Sequence, residues 1–266
     1  MSVLESGPVS DALIITWRNL KRIPRIPELA IFAVLQSIMF VLLFAYVFGG
    51  AIPLPGGGSY NEFLMPGIFV QTIAFASATT AIGVADDMGK GLIDRFRSLP
   101  MARSAVLTGR TVADVIYQAG ILVVLMLAGL VVGWRVNNGF AKFMFAVVLL
   151  LAFAYVMAWI GVWIGLSVPN TETAQQLTFV TIFPLTFISN VFVPPASLPA
   201  VLQPIAEWNP VSTLTASCRE LFGNPNPTIG TAFPSQHPIE VTIIRAIVLI
   251  AIFASLAVRK YRNTSR

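Results

Sequence analysis

Apolar residues fall in long unbroken blocks along this chain, without the strict alternation of half-buried strands. A helix rises 1.5 Å per residue, so crossing ~30 Å of hydrocarbon takes about 20 mostly apolar residues. Residues 29–48 and 63–85 reach that length without a charge. Residues 115–133 follow directly on Asp114, and 143–168 form another uncharged run. Residues 177–193 are shorter and contain Pro184, while 241–258 are interrupted by Arg245. The pattern predicts an all-α, polytopic membrane protein with six transmembrane helices, forming a single transmembrane domain over residues 1–266.

The segments between these blocks have patterns of their own. Over residues 10–25, Leu13, Trp17 and Leu20 recur at i, i+4 and i+7 with Ile14 beside them, while Arg18, Lys21 and Arg22 lie elsewhere around the helix. Ser10 is the expected N-cap, and Pro24 and Pro27 stop the helix before the first span. Trp on one face and bases on the other suit a helix lying in a headgroup layer; packing on its own protein is the alternative. Residues 49–62 are rich in Gly and Pro, lack Lys and Arg, and read as a short turn.

Residues 86–110 form the longest charged segment. Within it Ile93, Phe96 and Leu99 share one face of a short helix, Asp94, Arg95 and Arg97 point away, and Pro100 ends it. Exposed Phe and Leu on so charged a segment imply something that covers them. After the fifth block, Val193-Pro-Pro-Ala-Ser-Leu-Pro199 breaks the helix. Asn209-Pro210 then offers an N-cap followed by Pro at the first helical position, and Gly223 a C-cap. Residues 194–238 thus predict a pair of short external helices of re-entrant type and a Pro-rich loop before the last span.

Charge sets the orientation. Thirteen of the 17 basic residues lie before the first span, between spans two and three, or after span six. Such an imbalance places those segments, and both termini, in the cytoplasm. With 266 residues, 56% hydrophobic and 11% charged, and a mean hydropathy of +0.79, the chain has too few charges to cover a water-soluble globule. Its net charge of +5 therefore faces anionic lipid, and nucleic acid is not an expected partner. Acidic and Pro-containing residues ahead of the first apolar run, with no cleavage-like boundary after it, argue against a cleaved signal peptide.

Chemistry is sparse. One Cys, Cys218, and one His, His237, exclude an intrachain disulfide and leave no expected metal site. Gly89-Lys90-Gly91 lacks the upstream Gly and following hydroxyl of a phosphate-cradling loop. An intramembrane enzyme acting on lipid would need catalytic groups that the spans do not hold. An ion-coupled carrier or channel, the alternative function, usually carries deep ionisable relays; here Asp114 and Arg245 sit near span ends. Two surfaces suggest a solute path. Tyr155, Trp159 and Trp163 recur every four residues, offering either a stacking face or a packing stripe. Residues 72–83 are small and hydroxyl-bearing, with Ser77, Thr79 and Thr80 able to line a wet path. Gly161 and Gly165 are a close-packing candidate. Arg245 could pair with Glu207 or Glu220 as an external gate, or reach the outer headgroups.

The layout resembles that of the type 2 ABC exporter permeases, and most of all the daunorubicin-resistance subfamily of actinobacterial drug and lipid exporters. The likeness is carried by Arg97-Ser-Leu-Pro-Met-Ala-Arg-Ser-Ala-Val-Leu-Thr-Gly-Arg110 with Ala113-Asp114, and by Asn209-Pro210-Val211 with Arg219. The resemblance implies a bacterial plasma-membrane permease without an ATPase site of its own. It implies a second permease copy, identical or related, and two ABC ATP-binding subunits, which carry ATP and magnesium. In that setting Ile93, Phe96 and Leu99 are expected in a groove of the ATPase, with Asp94, Arg95 and Arg97 at its rim.

Overall fold

Away from water, backbone N–H and C=O groups must find partners within their own segment, so long apolar runs become helices. The computed structural model describes residues 7–22, 27–48, 54, 57–91, 103–227 and 232–263, and every regular element among them is helical. Helix α1 spans Pro8–Arg22, and α2 spans Pro27–Leu42 before a π-helical stretch, Leu43–Phe48. Then come α3 (Tyr60–Gly89), α4 (Arg103–Val132), α5 (Gly139–Gly165) and α6 (Thr171–Phe187). A 3-10 turn at Pro195–Ser197 leads to α7 (Gln203–Trp208), α8 (Pro210–Phe222), α9 (Phe233–Gln236) and α10 (Pro238–Asn263). Helices α3, α4, α5 and α10 are long and apolar enough to cross a membrane. Helices α2 and α6 are shorter.

The long helices outrun the apolar blocks. Helix α3 continues to Gly89 and α4 begins at Arg103, which shortens the expected 86–110 loop at both ends. The added turns carry charges with partners: Asp86 accepts from Lys90 at 2.7 Å, and Asp87 pairs with Arg110. Helix α6 starts six residues before the expected block and stops at Phe187. Asn170 caps its start by accepting from Thr173 N at 2.8 Å. At its end, Asn209 Nδ2 donates to the carbonyls of Leu185 at 2.6 Å and Ile188 at 2.7 Å, so the chain turns back instead of continuing to residue 193. Helix α1 begins at Pro8, so Ser10 lies inside it rather than capping it.

Helix α3 occupies the centre, with Phe63, Leu64, Met65, Ile68, Phe69 and Ile73 fully buried. Helix α5 reaches it through glycines. A Cβ at Gly161 would stand 2.5 Å from Ser77 O, and one at Gly165 2.5 Å from Ala81 O, so the backbones approach where side chains would keep them apart. Helix α8 is equally central. The expected cap holds, with Asn209 Oδ1 accepting from Val211 N at 2.8 Å and Gly223 at φ 74°. All of its residues from Val211 to Phe222 are buried except Glu220. Part of the expected external pair is therefore core.

Cross-links mark two ends. At one, Tyr60 donates to Phe192 O (2.9 Å), Asn61 to Val132 O (3.0 Å), Trp134 Nε1 to Asn224 Oδ1 (2.8 Å) and Asn138 to Glu220 O (2.7 Å). At the other, α1 lies on α4: Thr16 donates to Gly109 O at 2.9 Å, and Ile15 is 3% exposed. A Cβ at Gly109 would come within 2.6 Å of Ala12 O. Tyr261, near the C-terminal end of α10, lines a small crevice with Ile15, Asp87 and Arg110. Both described ends of the chain thus meet at the basic end.

Helix α1 serves two surfaces. It packs Asp11, Ile15 and Thr16 inward, while Leu13, Ile14 and Trp17 stay exposed, with Lys21 Nζ 5.1 Å from the Trp17 ring centroid. Of the apolar face read from the sequence, Leu13, Ile14 and Trp17 point outward and Leu20 is half-buried.

Candidate functional site

At the basic end a polar ladder joins α3 to α4. On α3, Thr80, Gly83 and Asp87 lie on one face at helical spacing; on α4, Arg110 and Asp114 are four apart. Thr80 Oγ1 donates to Asp114 Oδ2 at 2.8 Å, and Arg110 pairs with Asp87. The Arg110 and Asp87 side chains are 17% and 13% exposed, so the pair is largely withdrawn from water. Gly83 makes room for it: a Cβ there would collide with the Arg110 guanidinium. The Asp87–Arg110 rung joins the two ends of the charged segment, and the Thr80–Asp114 rung lies deeper between the helices. Ile93, Asp94, Arg95, Phe96, Arg97 and Leu99, the expected coupling residues, lie outside the described residues.

The expected solute path is distributed differently. Ser77 is buried and donates to Ala74 O at 2.7 Å; Thr80 is buried in the ladder; Thr79 is exposed. The hydroxyl run is thus shared between a helix contact and the α3 surface. Trp159 is 3% exposed and meets Tyr155 edge-on at 6.1 Å; Trp163 meets Phe253 of α10 edge-on at 5.6 Å. In this conformation the aromatic stripe packs α5 on its neighbours.

The expected gate is not an ion pair here. Arg245 donates to Thr213 Oγ1 at 2.8 Å and lies 5.9 Å from the Trp208 ring centroid, while Glu207 is half-buried and Glu220 exposed. Arg245 still links α10 to the α7–α8 pair, through a hydroxyl and a ring. Arg219 is the cation with the denser contacts. It is 1% exposed, its Nε donates to Phe63 O at 2.8 Å, and one terminal nitrogen reaches Asn190 O at 2.8 Å and Val191 O at 3.2 Å. Its Cζ lies 3.6 Å from the Phe63 ring centroid.

Residues 11–222 match the family described as ABC-2 type transporter. The chain belongs to the ABC-2 type transporter family. The chain is similar to the "Daunorubicin resistance ABC transporter permease protein DrrB1" of Streptomyces coeruleorubidus, with 32% identity over 96% of this chain and 87% of that protein. It is also similar to the "Probable doxorubicin resistance ABC transporter permease protein DrrC" of Mycobacterium tuberculosis, 25% identical over 84% of this chain and 81% of that one. As an ABC-2 permease it is a multi-pass membrane subunit that works with an ATP-binding partner, which sets aside the carrier or channel alternative. Arg110 entered the sequence reading only as the end of the motif that carries the resemblance, and Asp87 not at all, although Arg110 stands four residues before Asp114 and Asp87 just beyond an apolar block.

Proposed function

We propose that this permease exports amphiphilic or hydrophobic compounds, drugs or lipids, across a bacterial plasma membrane. It crosses that membrane six times, with α2 and α6 as the two shorter spans and the basic end with both termini in the cytoplasm. The working unit contains a second permease copy and two ATP-binding subunits, which hold the ATP and magnesium. The supporting observation is likeness over 96% of the chain to a permease named for daunorubicin resistance.

In this reading the segment joining α3 to α4 enters a groove of the ATP-binding subunit, with Phe96 as anchor and the neighbouring charges at the rim. Buried aromatic anchors dominate such contacts, whereas rim charges contribute little. Movement of the segment pulls α3 and α4 together, because Thr80–Asp114 and Asp87–Arg110 tie the two helices to each other. The expected outcome for Phe96→Ala is a permease that still inserts, with ATP hydrolysis retained and transport at least tenfold lower, since losing an anchor removes ~2 kcal/mol or more. Wild-type daunorubicin transport by Phe96→Ala in vesicles containing both subunits would remove this role.

A further inference from the structure

Between α2, α3 and α4 a cleft of about 100 Å³ is lined by Ser37, Phe40, Gln71, Phe75, Tyr117 and Gln118, among others. Gln71 and Gln118 are 3% and 6% exposed. Both are short of partners: Gln71 Nε2 and Gln118 Oε1 are buried and make no hydrogen bond. A buried amide end without a partner is costly, about 1–3 kcal/mol, and native structures seldom leave two beside one cavity. The same wall carries a hydroxyl pair, Ser37 Oγ and Thr72 Oγ1, 2.9 Å apart. Phe40, Phe75 and Tyr117 supply aromatic surface, and exposed Gln36 and Thr79 stand at the rim. Among the described residues, no charged side chain lines the cleft.

A few amide and hydroxyl groups converging in an aromatic wall is the composition of a small-molecule site. We propose that this cleft is a recognition subsite for the uncharged, hydrogen-bonding edge of a planar aromatic amphiphile, a ring carbonyl or hydroxyl. The Gln71 and Gln118 amides meet that edge, and the Phe40, Phe75 and Tyr117 rings flank the apolar part. At this volume the cleft takes one ring edge and leaves the remainder of the compound outside, past Gln36 and Thr79. A neutral lining suits a neutral group: a full charge there would lack a counter-charge. The inference rests on the export reading above and names what the permease reads on its cargo.

The test uses the permease with its ATP-binding partner in vesicles and daunorubicin as probe. Gln71→Leu and Gln118→Leu should each raise the concentration for half-maximal binding about tenfold, the loss of one buried hydrogen bond. As a measurement that tolerates failure of those variants to insert, Thr79→Cys adds a rim thiol to a chain whose Cys218 is buried. Daunorubicin should slow maleimide labelling at position 79 and leave labelling of Val131→Cys, on a distant exposed position, unchanged. Wild-type binding that persists in both leucine variants, or labelling at 79 indifferent to the drug, overturns the subsite while the export reading stands. Failure of the wild-type complex to bind or transport daunorubicin, any other aromatic amphiphile or any lipid overturns the reading itself, and the subsite with it.

Discussion

Arg219 shows what a single side chain does in this fold. Its planar fork offers donors in fixed directions, and three backbone carbonyls from two different segments accept them. Those carbonyls belong to the first turn of α3 and to the turn after α6, so one guanidinium fastens α8 to both. Replacing it by Leu removes the donor that reaches Asn190 O and Val191 O and breaks the tie to Phe63 O, at a cost of about 1–3 kcal/mol. Arg219→Leu should lower the yield of folded permease and its melting temperature in detergent. Arg219→Lys should restore little, because one ammonium cannot reach both Phe63 O and Asn190 O in the same directions. Full rescue by Lys would mean that charge alone matters. Pattern reading flagged Arg219 through resemblance and left its contacts unseen, since its partners are main-chain atoms up to 156 residues away. Arg245 shows the opposite: of its two readings, the carboxylate pair is not formed here. Nearby carboxylates were the obvious partners, yet a hydroxyl and an indole ring lay closer.

At the scale of elements, apolar block length was a faithful guide, because each long block did become a helix. What block length misses is capping. Helix α6 is placed by Asn170 and by Asn209, polar residues outside the apolar run, and it moved accordingly. Helix α8 was legible as a capped helix but not as core: it reads as a short external segment, whereas its hydroxyls bond within the helix and to α10, as Ser217 does to Thr213 O at 2.9 Å and to Thr242 at 3.1 Å. The Gly161/Gly165 spacing predicted close approach without naming the partner, which proves to be the hydroxyl-bearing face of α3. That contact yields a sharp expectation. Gly161→Leu would force side-chain atoms into Ser77 O and Thr80, and α5 and α3 would have to separate. Thermal stability in detergent should fall, by an amount corresponding to about 1–3 kcal/mol. Gly120→Leu, where a Cβ meets nothing within 4 Å, should be tolerated. Equal behaviour of the two variants would show that α5 and α3 are not packed as described.

For the whole molecule, the question is how a push at one end becomes a change along the spans. Helix α1 lies on α4, α10 ends beside it, and the ladder ties α4 to α3, so four elements meet at the entrance of the coupling segment. Helix α3 in turn holds α5 through glycines and α8 through Arg219. A displacement of α3 and α4 therefore reaches both ends without a flexible joint between, provided the two helices move as one. The Asp87–Arg110 pair is what enforces that condition. Removing one partner takes an ion-pair contact from a charge that is only 17% or 13% exposed, which is worse than removing both. Asp87→Asn and Arg110→Gln should each reduce the daunorubicin moved per ATP hydrolysed. The double variant should lose clearly less than the two single losses combined, the mark of residues acting as one unit. Losses that simply add would mean that Asp87 and Arg110 serve transport separately, and the joint movement of α3 and α4 would then depend on Thr80 and Asp114 alone.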